Sequence, residues 1–395
     1  MQSLKFKTGL LASRVELPPS KSYANRALIL AAILDKSPSL LNLPQATDVT
    51  NLMDCLQKIG LNLEWVDSRL TITNSFPACE AHDCSLDVGE GGTTARFLAA
   101  MLLLGTKTYK LNLGPRLKDR PWKSFISLAN SLGAKAELKE HVLTLKGPLC
   151  LTNEISIDCS ETTQFATAFQ LLSVKTNTQV EPFNLKSSQS YWLMTEKIIQ
   201  DMTSGSTDYP IPLDWSSASY PLAFGALNQK IVFPGLKNDP FQADAKFLQI
   251  LKKYEAINFE NNDRLEVKPG SLTGALKFDV SDALDLVPAL AFYLAHIEGE
   301  HQLTGIQNLI HKESNRLEEL KKLLLTFGRA VSSDADSLSI KGTKQKLVTP
   351  IDLVMPNDHR MVMTATLFLL HHGGGSIQPI EAVSKSYPAF FSLIN

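Results

Sequence analysis

Net charge is almost absent from this chain of 395 residues: 39 Lys and Arg stand against 40 Asp and Glu, a formal charge of −1 with His neutral. Without a global basic field or a polybasic run, nucleic acid and membrane surfaces are poor partners, and function has to come from local placement of charge. Long apolar runs are missing too. No stretch reaches the roughly 18 residues that a membrane span needs. The opening Met1-Gln2-Ser3-Leu4-Lys5-Phe6 lacks an apolar signal core, so the cytoplasm is the expected location. Cysteine is scarce and odd in number: Cys55, Cys79, Cys84, Cys150 and Cys159, with no CxxC pair. That predicts a reduced compartment and argues against a disulfide scaffold or a Cys/His metal site. No Gly-x-x-x-x-Gly-Lys-Ser/Thr motif occurs, which argues against a P-loop phosphotransferase.

What is present is ordinary globular composition, 44% apolar and 20% charged, over a length that predicts two or three domains. The chain also repeats itself. Segments 52–73, 125–147, 247–270 and 320–342 each read as an amphipathic helix, a helix-ending residue and two short strands around a polar turn. The helix-ending residues are Gly60, Gly133, Glu255 and Gly328, and Leu70, Leu143, Leu265 and Leu338 each follow ten residues later. Glycine is expected at such a position because the helix ends there with φ > 0. Gly60 to Gly133 and Glu255 to Gly328 are both 73 residues; Gly60 to Glu255 and Gly133 to Gly328 are both 195. The chain is therefore two similar α/β halves, expected to face each other across a site.

The same offset relates the polar loops, each placed just before an apolar helical run. In Pro18-Pro19-Ser20-Lys21-Ser22-Tyr23-Ala24-Asn25-Arg26 the prolines forbid an earlier helix start and Ser20 is a ready N-cap. Lys21 and Arg26 then sit at the positive end of a helix, which is unfavourable unless an anion joins them. The alternative is a capped helix with two solvated cations. Gly89-Glu90-Gly91-Gly92-Thr93-Thr94-Ala95-Arg96 opens a helix expected to run to Leu104, and its glycines allow close backbone approach to a ligand or simply make a turn. Arg120-Pro121 closes a charged loop. Ser160-Glu161-Thr162-Thr163-Gln164 and Ser187-Ser188-Gln189-Ser190-Tyr191 open helices with hydroxyls, or are plain caps. Residues 4–17 read as a strand or two, 39–44 as a turn, 46–59 and 287–295 as helices.

In the second half, Asp214 begins a helix and three acids including Asp285 precede another. Lys312 and Arg316, spaced i, i+4, are expected on one helix face, where their repulsion points to a missing anion; Glu313 and Glu318 are the alternative partners. Pro356-Asn357-Asp358-His359-Arg360 opens a further helix. His371-His372-Gly373-Gly374-Gly375 reads as a helix-ending turn in preference to a metal site. Lys385 lies in Ser384-Lys385-Ser386-Tyr387-Pro388.

Taken in order, Ser-Lys-Ser-x-x-x-Arg, Gly-x-x-Gly-Thr-x-x-Arg, Asp-Arg-Pro, Gln-Phe, Ser-Ser-Ala-Ser-Tyr, Lys-Glu-Ser-x-Arg, Asp-His-Arg-Met and Lys-Ser-Tyr-Pro span nearly the whole chain. This set resembles the enolpyruvyl transferases, and within them the branch acting on shikimate 3-phosphate. The resemblance implies two globular α/β domains of repeated βαβαββ units, an inside-out α/β barrel, with the active site in the interdomain cleft. It implies domains of 19–213, on the shikimate 3-phosphate side, and of 1–18 with 214–395, the chain crossing twice. The implied reaction, in the shikimate pathway to chorismate and aromatic amino acids, adds the 5-hydroxyl of shikimate 3-phosphate to C2 of phosphoenolpyruvate, protonates C3 and then eliminates phosphate.

By the same resemblance, Lys21, Ser22, Arg26, Thr162, Thr163, Gln164, Ser188, Tyr191, Asp285, Asn308 and Lys312 hold shikimate 3-phosphate. Lys21, Gly92, Arg96, Arg120, Gln164, Arg316, His359, Arg360 and Lys385 hold phosphoenolpyruvate. Asp285 is the base toward the 5-hydroxyl and Glu313 the acid toward C3, with Lys21 beside them. No metal or cofactor, no nucleic acid or membrane partner, and a monomer are expected. Bound anions are expected to neutralise the cations and close the domains. Cations lower a carboxyl pKa and desolvation raises it, and the sequence leaves that balance open for Glu313.

The chain departs from the usual family pattern at Glu90, where many members have Asn, and at Thr162-Thr163, Leu284 and Asn315. Glu90 is expected to turn toward Arg96 or Lys118. A sister branch acting on UDP-N-acetylglucosamine usually carries a reactive cysteine before the Arg-Pro pair, and residues 111–120 contain none. A non-catalytic anion-binding protein would need neither Asp285 nor Glu313.

Overall fold

The computed structural model describes residues 2–260 and 264–395; part of the third repeat, 261–263, lies outside the described residues. The chain forms two compact units, Pro19–Pro212 and Met1–Pro18 with Leu213–Asn395.

In Pro19–Pro212, strand Asp208–Pro210 runs parallel to Ser39–Leu41, which pairs antiparallel with Arg69–Ile72, which in turn forms a hairpin with Leu63–Val66. The pattern recurs in Cys84–Gly89, Thr108–Leu113, Val142–Lys146 and Lys135–Lys139. Strands Glu154–Asp158 and Gln179–Phe183 form a parallel pair. In the other unit, Leu276–Asp279, Gly299–Thr304, Ser337–Gly342 and Ala330–Ser333 repeat the order and the directions. Its remaining sheets are Ile231–Pro234, Arg264–Val267 and Ile257–Glu260, and Leu4–Phe6, Gly375–Gln378 and Ile351–Val354. These are the repeated βαβαββ units, and the fold is two similar α/β domains.

The most apolar helices are central. Every residue from Tyr23 to Ile33 of Lys21–Ile33 is buried, as is all of Val287–Leu294 and all of His359–His371. A helix with no polar stripe has no solvent face to present, so these three helices lie in the interior, whereas Lys123–Ser131 and Arg316–Thr326 bury only part of their surface. Leu70, Leu143, Leu265 and Leu338 are fully buried, as equivalent positions of one repeated unit should be.

All four helix-ending residues take positive φ: Gly60 at 107°, Gly133 at 84°, Glu255 at 55° and Gly328 at 71°. At Gly60 a Cβ would also lie 2.3 Å from the Cys79 carbonyl oxygen, whereas at Gly328 nothing lies within 4 Å. The first glycine answers to space as well as φ, the last to φ alone.

Several expected boundaries move. Residues 39–41 are a strand, Ser39–Leu41, because they pair on both sides. The helices are Thr47–Lys58, Gly92–Leu102 and Val287–Leu294. Between residues 4 and 17 the chain forms Leu4–Phe6, then single bridges from Leu11 to Ile394 and Arg14 to Val232. No helix among the described residues is long and apolar enough to cross a membrane.

Candidate active site

Two charged clusters, one in each unit, gather the residues singled out from sequence. In Pro19–Pro212 the helix Lys21–Ile33 starts directly after Ser20, whose backbone is extended at φ −68° and ψ 118°. Ser20 occupies the cap position, but its side chain makes no cap bond, and its hydroxyl is buried without a partner. The Lys21 ammonium donates to Asp48 Oδ2 at 2.8 Å. Asp48, 4% exposed, stands in the first turn of Thr47–Lys58 and offsets the Lys21 charge in place of an external anion. The reading from sequence missed this partner, although an acid in a helix's first turn was its signal.

Arg26 is held by neutral groups. Its Nε donates to Thr195 Oγ1 at 2.8 Å and its NH1 to the Ser22 carbonyl at 2.9 Å; the guanidinium lies over the Phe97 and Tyr191 rings. Burial lowers its pKa to about 10, which leaves it charged at neutral pH. A buried cation held by a hydroxyl, a carbonyl and two rings is a ready partner for an anion. Thr195 was also missed; its hydroxyl additionally donates to the Tyr191 carbonyl at 2.9 Å.

Arg96 is 1% exposed. It donates to Gln164 Oε1 at 2.6 Å, to Thr162 Oγ1 at 3.3 Å and to the Pro121 carbonyl at 3.1 Å, and it lies over Phe165 and Trp122. Burial first, then Arg120, pushes its pKa down. Gln164 Nε2 reaches Thr93 Oγ1 at 3.1 Å. Arg96 thus ties the Gly92–Leu102 and Gln164–Thr176 helix starts to the residue after Arg120. Gly92 faces Arg120 so closely that a Cβ there would lie 2.4 Å from NH1. Thr163 and Ser188 occupy the cap positions of Gln164–Thr176 and Gln189–Met202, neither with a side-chain cap bond. Glu90 does not turn to Arg96 or Lys118: its carboxylate accepts the backbone N–H of Arg116 and of Leu117. Lys118 pairs with Asp119.

In the second unit Asp285 is the hub. Its Oδ1 meets Arg316 NH1 at 2.8 Å and Lys312 Nζ at 3.3 Å, and its Oδ2 meets Arg360 NH2 at 3.2 Å. Lys312 and Arg316 do not share a helix face. Lys312 is extended, with ψ −166°, after the short turn Gln307–His311 that contains Asn308, and Arg316 begins Arg316–Thr326. Their repulsion is offset by Asp285. Asn315 caps that helix by accepting the Glu318 N–H at 3.3 Å.

Glu313 Oε2 meets His359 Nδ1 at 2.8 Å, and its Oε1 meets Lys385 Nζ at 3.0 Å. Burial alone would raise the Glu313 carboxyl. His359, Lys385 and Arg316 outweigh burial and hold it well below the usual carboxylate range. Glu313, Asp358 and His359 present ligand atoms within 4.8 Å of one another. The two carboxylates already hold Arg316 and Lys385, so a divalent cation would meet those charges. His371 ends its helix and His372 is the following cap residue, before Gly374 at φ 78°.

The family model for EPSP synthase (3-phosphoshikimate 1-carboxyvinyltransferase) matches residues 7–205 and 200–394. The curated 3-phosphoshikimate 1-carboxyvinyltransferase of Pyrococcus abyssi is 31% identical over 398 residues, covering 96% of this chain and 93% of the relative. That of Thermococcus kodakarensis is 31% identical over 391 residues, covering 95% and 94%. Among solved structures, EPSP synthase from Acinetobacter baumannii superposes with a TM-score of 0.76 at 20% identity, over 100% of this chain and 97% of its own. The enolpyruvyl transferase NikO from Streptomyces tendae superposes at 0.75 and 14% identity, with the same coverage. The structural likenesses bear on fold alone.

Proposed function

Because the chain belongs to the EPSP synthase (3-phosphoshikimate 1-carboxyvinyltransferase) family, we propose that its two clusters divide the work of moving the enolpyruvyl group of phosphoenolpyruvate onto shikimate 3-phosphate. In Pro19–Pro212, Arg26, Lys21, Ser22, Thr162, Thr163, Gln164, Ser188 and Tyr191 serve shikimate 3-phosphate, whose phosphate meets the guanidinium that only neutral groups hold. Gly92 and Arg120 in that unit, with Arg316, His359, Arg360 and Lys385 in the other, serve phosphoenolpyruvate. Asn308 and Lys312 complete the shikimate contacts. Arg96 acts by holding Gln164, Thr162 and the Arg120 loop.

The observation that carries this reading is the pair of carboxylates set among cations: Asp285 beside Lys312, Arg316 and Arg360, and Glu313 beside His359 and Lys385. Such a setting binds anionic substrates and keeps acid–base groups next to them. Asp285 takes the proton of the 5-hydroxyl as its oxygen bonds to C2, and Glu313 delivers a proton to C3. In the second step the tetrahedral adduct loses a C3 proton back to Glu313, and the C2–O bond to phosphate breaks. Glu313 starts ionised. The phosphate and carboxylate of phosphoenolpyruvate offset Lys385 and Arg316 and raise the Glu313 carboxyl, and His359 at 2.8 Å is placed to supply the proton. The arginines stabilise the developing charge. The protein acts in the cytoplasm as a monomer, which light scattering tests.

The experiment is phosphate release from phosphoenolpyruvate with shikimate 3-phosphate, and in parallel with UDP-N-acetylglucosamine. Release with the first alone is expected; release with the second alone, or with neither, overturns the reading.

A further inference from the structure

An acid in the second position of a glycine turn next to an anion site is electrostatically misplaced unless its charge is satisfied elsewhere. Glu90 has such a place. Its Oε1 accepts the Arg116 N–H at 3.1 Å and its Oε2 the Leu117 N–H at 2.9 Å. Gly114 makes room for it: a Cβ there would lie 2.4 Å from Glu90 Oε1. The Gly114 N–H itself donates to the Gly89 carbonyl at 2.9 Å.

Leu117 passes the constraint on. It is fully buried, and its carbonyl accepts the Arg120 N–H at 3.2 Å and the Trp122 indole N–H at 3.0 Å. Arg120 then returns to the turn that carries Glu90, because its guanidinium lies against Gly92. The path from Glu90 through Leu117 and Arg120 to Gly92 is a closed loop of contacts, in which the Glu90 carboxylate joins the glycine turn to the backbone of the Arg120 loop.

We propose that Glu90 is a positioning residue for Arg120, tethering the loop that presents Arg120 to the glycine turn facing it, and so tuning phosphoenolpyruvate affinity. The proposal rests on the assignment of Arg120 to phosphoenolpyruvate made above. A carboxylate accepts two neighbouring N–H groups with two oxygens. Asparagine is one methylene shorter and turns one acceptor into a donor. It cannot make the same two-oxygen tether.

The test compares wild type, Glu90→Gln, Glu90→Ala, Glu90→Asn, Arg120→Ala and the Glu90→Ala/Arg120→Ala double variant. KM for phosphoenolpyruvate and kcat are measured at saturating shikimate 3-phosphate. Affinity for each substrate alone is measured by calorimetry, and folding by thermal melting. Glu90→Ala is expected to raise KM for phosphoenolpyruvate about tenfold, the scale of a lost charge-assisted hydrogen bond, while shikimate 3-phosphate affinity stays within about twofold. Glu90→Gln should recover part of the loss, Glu90→Asn none. The double variant should be no worse than Arg120→Ala. An unchanged KM with a lowered melting temperature, equal losses for both substrates, or additive losses in the double variant would each overturn the proposal. If wild type releases no phosphate, the assigned reaction falls, while the ratio of phosphoenolpyruvate affinities of wild type and Glu90→Ala still decides the tether.

Discussion

Arg316 and Asp358 form a two-pronged ion pair from which solvent is excluded: Nε meets Oδ2 at 2.8 Å and NH2 meets Oδ1 at 3.1 Å, with the side chains 1% and 0% exposed. Asp358 also accepts the Arg360 N–H at 3.0 Å and the Ser314 hydroxyl at 3.0 Å. One carboxylate therefore caps the helix His359–His371 and orients the arginine that reaches Asp285.

Removing one partner of a buried pair leaves the other charge uncompensated, at about 3–5 kcal/mol. Asp358→Ala is expected to lose about 3 kcal/mol, the low end, because Asp285 still holds Arg316. Urea unfolding measures this, and a loss below about 1 kcal/mol would contradict the account.

Asp285→Asn keeps the shape and removes the base. Turnover should fall by about 10²-fold or more, with little change in shikimate 3-phosphate binding. Equal losses in turnover and binding would remove Asp285 from that role.

Lys385→Met should raise the Glu313 carboxyl, since Lys385 is among the charges that hold it low. The stability that ionised Glu313 contributes is present above its unfolded pKa and is lost as pH falls through its folded pKa. With Lys385 gone the folded pKa moves up toward the unfolded one, so the loss still begins at the unfolded pKa but is complete at a higher pH and is smaller. Carbon NMR titration of labelled glutamate carboxyls, with Glu313→Gln as the assignment control, reads the shift; an unmoved titration would sink the explanation.

A histidine cluster makes the unit acid-sensitive. His296 Nε2 lies 2.9 Å from His372 Nε2, and His371 Nδ1 lies 2.8 Å from Asn228 Oδ1. Burial, with Arg329 and Lys346 nearby, pushes His371 down to about 2 and His372 to about 3, and His296 is also lowered. Below the unfolded histidine pKa near 6.5 the unfolded chain binds protons that the folded one refuses. Stability therefore falls with pH, by up to about 1.4 kcal/mol per pH unit for each histidine. Denaturant midpoints between pH 7 and 5 test this; His371→Gln should flatten the slope.

Glu255→Gly should stabilise by about 0.5–1 kcal/mol, because a side chain at φ 55° is strained and glycine is not. Gly328→Ala should cost about 1 kcal/mol, and Gly60→Ala more, since its Cβ would strike the Cys79 carbonyl. Thermal melting ranks the three; equal costs for the two alanines would contradict the distinction.

The amino-acid order alone determined the repeats and the helix starts. These are local or periodic features: prolines stop a helix at Pro19, positive φ ends one at Gly133, and a leucine ten residues on fills a core. It also placed Asp285, Glu313, Arg316, Arg360 and Lys385 at loop ends, because the motifs keep their spacing. Tertiary structure decided what those charges meet. Lys21 finds Asp48 27 residues away, Arg316 finds Asp285 and Asp358 31 and 42 residues away, and Glu90 finds Arg116 and Leu117 26 and 27 residues away. The cation pair Lys312 and Arg316 misled from sequence for the same reason: helical spacing is a local inference, and the extended Lys312 backbone that cancels it follows from folding the chain back onto Asp285. Periodicity repeats along a chain and can be read there, whereas an ion pair depends on distance in space, which only the packed helices set.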